Sequence, residues 1–337
     1  MNSASLGATA DHKLAGLKQP WSRDLVSIRD LATQEVAAIL ELTALIKARP
    51  ADFRGALAGK QLVMFFEKPS LRTRLTFEAG MASLGGVSFF VDQTQSRLGS
   101  RESLSDVAHN IERWVDIAVL RTFSHAIVEK MAEYASIPVI NALSDVEHPC
   151  QALADYFTLM EHFGDLKSIK LAYIGDGNNV AHSLLLACAA LGSTIRIATP
   201  PGFEPDRQIV ADAQEIALEA GASIELLSDP HSAIAGVDAV YTDTWVSMGQ
   251  EDETRQRIEI FEPYRVNEKL FAEAAPHAVF MHCLPAHRGQ EVTDQVIDSP
   301  QSIVFEQAEN RMHVQKAILL YLLGGGIGRL QVRSARA

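Results

Sequence analysis

Residues 169–193 read IKLAYIGDGNNVAHSLLLACAALGS. A mostly apolar run ends at Ile174, a Gly-Asp-Gly-Asn-Asn turn follows, and an apolar helical pattern continues from Val180. A short apolar run, a glycine turn and a helix read as a strand feeding a crossover helix. Continuous apolarity marks a strand covered on both faces. The rhythm recurs: QLVMFFEKPS (61–70) leads into RTRLTFEAGMASLGG (72–86), VDIAVLRTF (115–123) leads into SHAIVEKMAEYAS (124–136), and GVDAVYTDT spans 236–244. The expected fold is therefore α/β, built on doubly wound parallel sheets. Ligands of such sheets gather at the carboxyl ends of the strands, so the residues just after each apolar run are the candidates for chemistry. The Gly175-Asp176-Gly177 turn begins like a dinucleotide fingerprint, but the third glycine would fall on Val180, which speaks against an NAD-dependent Rossmann-type enzyme.

The length of 337 residues divides into two domains at about 150 residues each. Hydrophobic residues at 47% and charged residues at 21% are the balance of a soluble globular protein. With 42 acidic against 30 basic side chains the net charge is −12, which argues against nucleic-acid or anionic-membrane partners but leaves room for a small anion in a local basic pocket. Cys150, Cys188 and Cys283 are odd in number and hold no C-x-x-C pair. Neither a disulfide framework nor a zinc cluster is expected, and no metal or cofactor. The absence of a long apolar run, and of an apolar core near the start, gives the expectation of a cytoplasmic protein. Residues 1–22 are expected to form a mobile tail. His148 to Gly164 reads as one helix linking two α/β halves. Ser247 to Asn267 (SMGQEDETRQRIEIFEPYRVN) shows no period and is expected as a long loop, either a lid or a surface excursion.

The candidates lie where the rhythm puts strand ends. Lys68-Pro69-Ser70-Leu71-Arg72-Thr73-Arg74 starts a helix, where unpaired N–H groups, two hydroxyls and a guanidinium fork suit a phosphate. Arg121 ends a buried run and needs an anionic partner, either a ligand or a structural carboxylate. His148 and Gln151 flank Pro149 at a helix start and can donate to a carbonyl oxygen, although a capping role is equally open. Asp243, before Ser247-Met248-Gly249, can receive an ammonium group or cap a turn. His282-Cys283-Leu284-Pro285 follows another apolar run. Its cysteine invites a nucleophile reading, but neighbours in an extended segment point to opposite sides. Arg311 lies in a helical stretch and is a surface residue unless that helix covers the pocket.

Taken in order, Ser70-x-Arg72-Thr73, His148-Pro149-Cys150-Gln151, Asp243-x-x-x-Ser247-Met248-Gly249 and His282-Cys283-Leu284-Pro285 resemble the ornithine carbamoyltransferases. The resemblance runs from about Leu25 to Gly325 and includes GDGNNVAHS and FEQAENRMHVQKAIL. It implies two doubly wound α/β domains with a cleft between them and a C-terminal helix returning to the first. Residues 23–155, plus a helix at about 308–325, would be the carbamoyl-phosphate domain, and 156–307 the ornithine domain. It also implies a homotrimer or an assembly of trimers, and transfer of a carbamoyl group to the δ-amine of L-ornithine, giving L-citrulline and phosphate in arginine biosynthesis. Transfer to another amine, such as N-acylornithine or putrescine, is the alternative. Carried onto matching positions, the resemblance gives carbamoyl phosphate to Ser70, Leu71 (through its N–H), Arg72, Thr73, Arg97, Arg121, His148, Gln151, Cys283, Leu284 and Arg311. It gives ornithine to Asn179, Asp243, Ser247 and Met248, and catalysis to Arg121, His148, Cys283 and Asp243. Two positions depart from the family's pattern: Leu71 stands in place of a threonine, and Arg97 in place of a glutamine before Leu-Gly.

Overall fold

A computed structural model describes residues 22–95, 97–246 and 254–324. Contacts divide the chain into two compact units, one reaching to Leu153 and taken up again from Arg311, the other spanning Ala154–Asn310.

The first unit holds a four-stranded sheet of β1 (Gln61–Phe66), β2 (Val87–Asp92), β3 (Ile117–Arg121) and β4 (Val139–Leu143). The strand order is β2-β1-β3-β4 and every pairing is parallel. The inner strands β1 and β3 are almost wholly buried, whereas the edge strand β2 alternates between exposed and half-buried positions. Burial thus follows the apolar runs, because a strand covered by helices on both faces has no polar side to show. Val63, Phe65, Ala118 and Leu120 meet Ala108, Ile111, Val128 and Met131 of the helices Leu104–Ile111 and His125–Tyr134 in one core cluster.

The second unit carries β5 (Lys170–Ile174), β6 (Thr194–Ala198), β7 (Ser223–Leu227), β8 (Ala239–Tyr241) and β9 (Val279–Met281). Their order is β7-β6-β5-β8-β9, again all parallel. The stretch 169–193 contains β5, the glycine turn and the helix Asn179–Leu191. Asn178 caps that helix by accepting from the Val180 and Ala181 N–H groups, and Gly192, at φ 71°, ends it in the left-handed conformation. Ala172, Ile174, Val240 and Phe280 pack with Ile234, Val266 and Val296 in this unit's core.

The expected linking helix is present as Pro149–Phe163, and the final helix spans Val304–Leu322. Within the first unit Tyr321 donates to Glu35 at 2.5 Å, and the Lys316 side chain lies close against Gly80. The polar stretch 247–267 differs from its expectation as a loop: Thr254–Phe261 is a helix and Glu262–Tyr264 a 3-10 turn. Arg257, Phe261 and Tyr264 are buried at helical spacing. The first of the three is charged, so no apolar period shows in the sequence.

Both sheets reverse their winding once. The reversal falls between β1 and β3 in the first and between β5 and β8 in the second. At such a point the helices leaving two neighbouring strands diverge to opposite faces and open a crevice at the carboxyl ends. Those four strand ends carry most of the candidates.

Candidate active site

In the first unit, β1 ends at Phe66 and the helix Leu71–Ser83 begins just beyond it. Ser70 is its N-cap: Oγ accepts from the Thr73 N–H at 3.3 Å and donates to Thr73 Oγ1 at 3.0 Å. Arg311 of the final helix donates to the same Thr73 oxygen at 2.7 Å, and both residues are buried. A hydroxyl and a guanidinium are thereby fixed at a helix N-terminus, whose free N–H groups already favour an anion. The Leu71 side chain is 72% exposed, so the missing hydroxyl leaves the backbone N–H at that position unaffected. Arg121 closes β3 and stands in register with Phe66, the last residue of β1.

His148 precedes the helix Pro149–Phe163, and Gln151 in its first turn donates its N–H to the His148 carbonyl at 3.0 Å. His148, Gln151 and Arg121 are all buried. Burial holds the His148 imidazole well below its usual range, and the Arg311 and Arg121 charges push the same way. A neutral imidazole results, able to donate one hydrogen bond beside two fixed cations. Arg97 is placed differently: it is exposed, with its guanidinium over the Phe123 ring, 4.5 Å from the centroid. Lys68 Nζ lies 4.6 Å from that same centroid. Glu67, which sequence reasoning passed over, holds this corner by accepting from the Leu98 N–H at 3.2 Å and the Phe123 N–H at 2.9 Å.

In the second unit the turn after β5 and the end of β8 meet through side chains. Asn178 donates from Nδ2 to Asp243 Oδ2 at 2.9 Å, and the Cys283 thiol donates to Asp243 Oδ1 at 3.0 Å. Asp243 is 7% exposed, so its carboxylate is a buried acceptor with a defined orientation. Burial, seconded by that charge, pushes the Tyr173 phenol well above its ordinary range. It therefore stays a donor, and reaches Asn178 Oδ1 at 3.3 Å. The expectation put Asn179 against the amino-acid ligand; the structure gives the contact to Asp243 to its neighbour Asn178, while Asn179 opens the helix. Gly177 is compulsory here: a Cβ would lie 2.3 Å from Pro205 N and 2.4 Å from the Glu204 carbonyl carbon. Arg257 clasps the turn from outside by a buried ion pair with Asp176, a bond from Nε to the Trp245 carbonyl at 2.6 Å, and contact with the Phe203 and Phe261 rings. Ser247 and Met248 lie outside the described residues.

Asp243, His282 and Cys283 bring three potential metal ligands within 4.8 Å of one another. Both ring nitrogens of His282 are engaged, however, with Nδ1 accepting from the Leu284 N–H at 2.8 Å and Nε2 facing Glu291 Oε1 at 3.2 Å. Ligation by His282 would break one of these buried bonds, so the donor set does not suit a resident cation. Among the cysteines, burial pushes the Cys150 thiol up to about 12 and the Cys188 thiol to about 11, which leaves both inert.

The two α/β units, one with a helix N-terminus suited to an anion and one with an oriented carboxylate, are matched separately by two family domains. The chain matches the carbamoyl-P binding domain of the aspartate/ornithine carbamoyltransferases over residues 23–161 and their Asp/Orn binding domain over residues 167–322. The chain belongs to the aspartate/ornithine carbamoyltransferase family. Among the relatives of this family, the ornithine carbamoyltransferase of Pyrococcus abyssi is 49% identical over 305 residues, covering 90% of this chain and 96% of its own. The anabolic ornithine carbamoyltransferase of Pyrococcus furiosus is 48% identical, covering 90% and 97%. A solved ornithine carbamoyltransferase from Pyrococcus furiosus superposes with a TM-score of 0.87 at 48% identity, covering 90% of this chain and 97% of that one. The family also fits the two parallel-sheet α/β units found here.

Proposed function

We propose that this protein is an ornithine carbamoyltransferase, forming L-citrulline and phosphate from carbamoyl phosphate and L-ornithine. The observation that carries the choice of acceptor is the Asp243 carboxylate, buried at the end of β8 and oriented by Asn178 and Cys283. An ammonium-bearing substrate suits that group; an anionic acceptor such as aspartate does not.

In this reading the N-terminus of the helix Leu71–Ser83, with Ser70, Leu71 N–H, Arg72, Thr73 and Arg311, holds the phosphate. Arg97 supplies further positive charge near it. Arg121, His148 and Gln151 take the carbamoyl group. With its oxygen accepting from Arg311, the Thr73 hydroxyl is left to donate. The neutral δ-amine attacks the carbamoyl carbon, a C–N bond forms, and negative charge grows on the carbonyl oxygen. Arg121, neutral His148 and Thr73 stabilise that charge, a role typically worth about 3–4 kcal/mol per well-placed donor. The C–O bond to phosphate then breaks, the electron pair leaves with phosphate, and phosphate takes the proton that the amine sheds. Free ornithine carries its δ-amine as an ammonium, with a pKa near that of lysine at about 10, so the first proton passes to solvent before the attack. Asp243 and Cys283 orient the group, and Cys283 acts as a polar neighbour and not as a covalent nucleophile. Asn179, Ser247 and Met248 complete the ornithine contacts, with closure of the segment from Ser247 excluding water. No step calls on a metal or cofactor.

A homotrimer or an assembly of trimers working in the cytoplasm fits this activity. In support of self-association, a groove of about 850 Å³ in the first unit runs beside β2, where Phe89 is 48% and Trp114 66% exposed, and Arg97 and Arg101 line its rim. Surfaces of this kind commonly serve association. The deciding assay gives purified protein carbamoyl phosphate together with ornithine, N-acetylornithine, aspartate or putrescine. Citrulline from ornithine alone is the expected result; carbamoylation of a different amine, or of none, overturns the reading.

A further inference from the structure

Leu284 has φ +57°, and it is the one non-glycine residue in the left-handed region among the described residues. A γ-branched side chain gains nothing from that conformation, so something around it must impose it. The surroundings supply a chain of buried polar groups that the carbamoyl-transfer steps leave unused. The Leu284 N–H donates to His282 Nδ1 at 2.8 Å. Because Nδ1 accepts, the imidazole proton sits on Nε2, which donates to Glu291 Oε1 at 3.2 Å. Glu291 Oε1 also accepts from the His287 N–H at 2.5 Å, and the Glu291 carbonyl accepts from the Val266 N–H at 2.9 Å. On the other side of the imidazole, the His282 N–H donates to Gln307 Oε1 at 3.0 Å, and Gln307 is itself held by Asp155 at 2.7 Å. His282 and Glu291 have no solvent exposure at all.

Burying a carboxylate and an imidazole is costly, and two apolar side chains would fill the same space without that cost. What apolar residues cannot do is offer an acceptor at one point and no other. A backbone N–H held at 2.8 Å by an imidazole whose tautomer is set by a carboxylate has a single direction. Cys283 sits between the two anchored residues and spends its thiol proton on Asp243 Oδ1. Fixing residues 282 and 284 therefore fixes where Cys283 stands beside the Asp243 carboxylate.

We infer that His282 and Glu291 are positioning residues: Glu291 sets the His282 tautomer, and His282 locks Leu284 in its left-handed conformation, so that the Cys283 thiol between them is held against Asp243 and meets the acceptor amine correctly. The inference rests on the ornithine carbamoyltransferase reading for its kinetic consequence but not for its structural one. Long-range ¹H–¹⁵N spectra of the unliganded protein, labelled at histidine, read the tautomer directly. His282 should appear as neutral with its proton on Nε2. A proton on Nδ1, or a doubly protonated ring, overturns the lock whether or not the protein makes citrulline.

Kinetics on two variants then separate positioning from mere stability. In H282N the amide oxygen falls near the place of Nδ1 and can accept from Leu284, whereas H282Q extends toward Glu291 and offers Leu284 nothing. H282Q should raise KM for ornithine at least about tenfold and lower kcat/KM about a hundredfold, the scale of a misplacement near 1 Å. H282N should recover most of that loss. Equal kinetics in the two variants, or a fall in kcat with KM for ornithine unchanged, refutes the positioning role. Wild-type protein that yields no citrulline refutes the functional reading instead, and the spectra still decide the lock.

Discussion

Replacing Arg257 with methionine keeps most of the side-chain length and removes the charge, so it isolates what the clasp on the turn after β5 contributes. Arg257 is 4% exposed, and the Asp176 side chain that it meets is 12% exposed, so water screens the pair weakly. Taking one member from a buried pair costs about 3–5 kcal/mol, most of it the penalty of leaving a carboxylate in a poor solvent. The residual exposure of Asp176 moves the expectation toward the lower end. Loss of the bond to the Trp245 carbonyl adds roughly 1 kcal/mol. R257M should therefore destabilise the second unit by about 4 kcal/mol. Trp245 is the natural reporter, being fully buried with its ring stacked on Phe261 at 5.9 Å. In a W21F/W114F background its fluorescence follows urea unfolding of that unit alone. At a slope of about 2 kcal/mol per molar urea the midpoint should fall by about 2 M. D176N should cost less, and the double variant R257M/D176N should recover at least about 2 kcal/mol relative to additivity. A shift below about 1 kcal/mol for R257M, or strict additivity in the double variant, would refute the claim that the pair braces this turn.

Gly177→Ala forces a methyl into backbone contacts of 2.3–2.6 Å, which no rotamer relieves; thermal unfolding should show a loss of at least about 1–3 kcal/mol, with ornithine turnover impaired. Arg311→Met removes a charged donor from Thr73 and the anion site, and equilibrium dialysis should find carbamoyl phosphate bound about ten- to a hundredfold more weakly, with the fold intact. For His148 the sign follows from protons. The unfolded chain takes one up below the ordinary value of 6.5, whereas the buried imidazole does so only well below it. Its contribution to stability is thus complete above 6.5 and declines as pH falls, by up to about 1.4 kcal/mol per pH unit. Urea unfolding across this range should show that slope in the wild type and a shallower one in H148Q. Iodoacetamide applied to the native protein should label Cys283 and leave Cys150 and Cys188 unmodified, as peptide mass spectrometry can read; labelling of the buried pair would contradict their elevated values.

The inner strands of the two sheets were legible because they are buried on both faces and therefore apolar, as in LVMFF of β1 and LAYI of β5, whereas the edge strands β2 and β7 have only exposed and half-buried positions and show no such run. The candidates at strand carboxyl ends were picked out for a related reason: a charged side chain such as Arg121 at the end of an apolar run calls for an anionic partner, either a ligand or a structural carboxylate. What stayed hidden depends on partners far away in the chain. By its own stretch of sequence Arg311 looked like one of many polar residues on a helix, and only the family resemblance singled it out; its contact with Thr73 spans 238 positions. The helix Thr254–Phe261 was hidden by its own anchor, since the buried position that would have revealed a period is an arginine matched to Asp176. Asn178 and Asn179 are indistinguishable by composition, and only the turn geometry assigns the capping and Asp243 contacts to the first. Glu67 carries no motif, and its two backbone acceptances give no sequence signal.

Each of the two sheets reverses its own winding once, with candidate residues at both reversals, and this bears on how such a protein can diversify. In the proposed reading the donor half and the acceptor half draw their chemistry from different strand ends, β1, β3 and β4 on one unit and β5, β8 and β9 on the other. Loops there can be rewritten without disturbing any pairing in the other sheet. A lineage can therefore keep one inherited grip on an activated phosphate and exchange only its reader of the incoming nucleophile. A family whose members are divided by the amino acid they accept is the expected outcome of that separation.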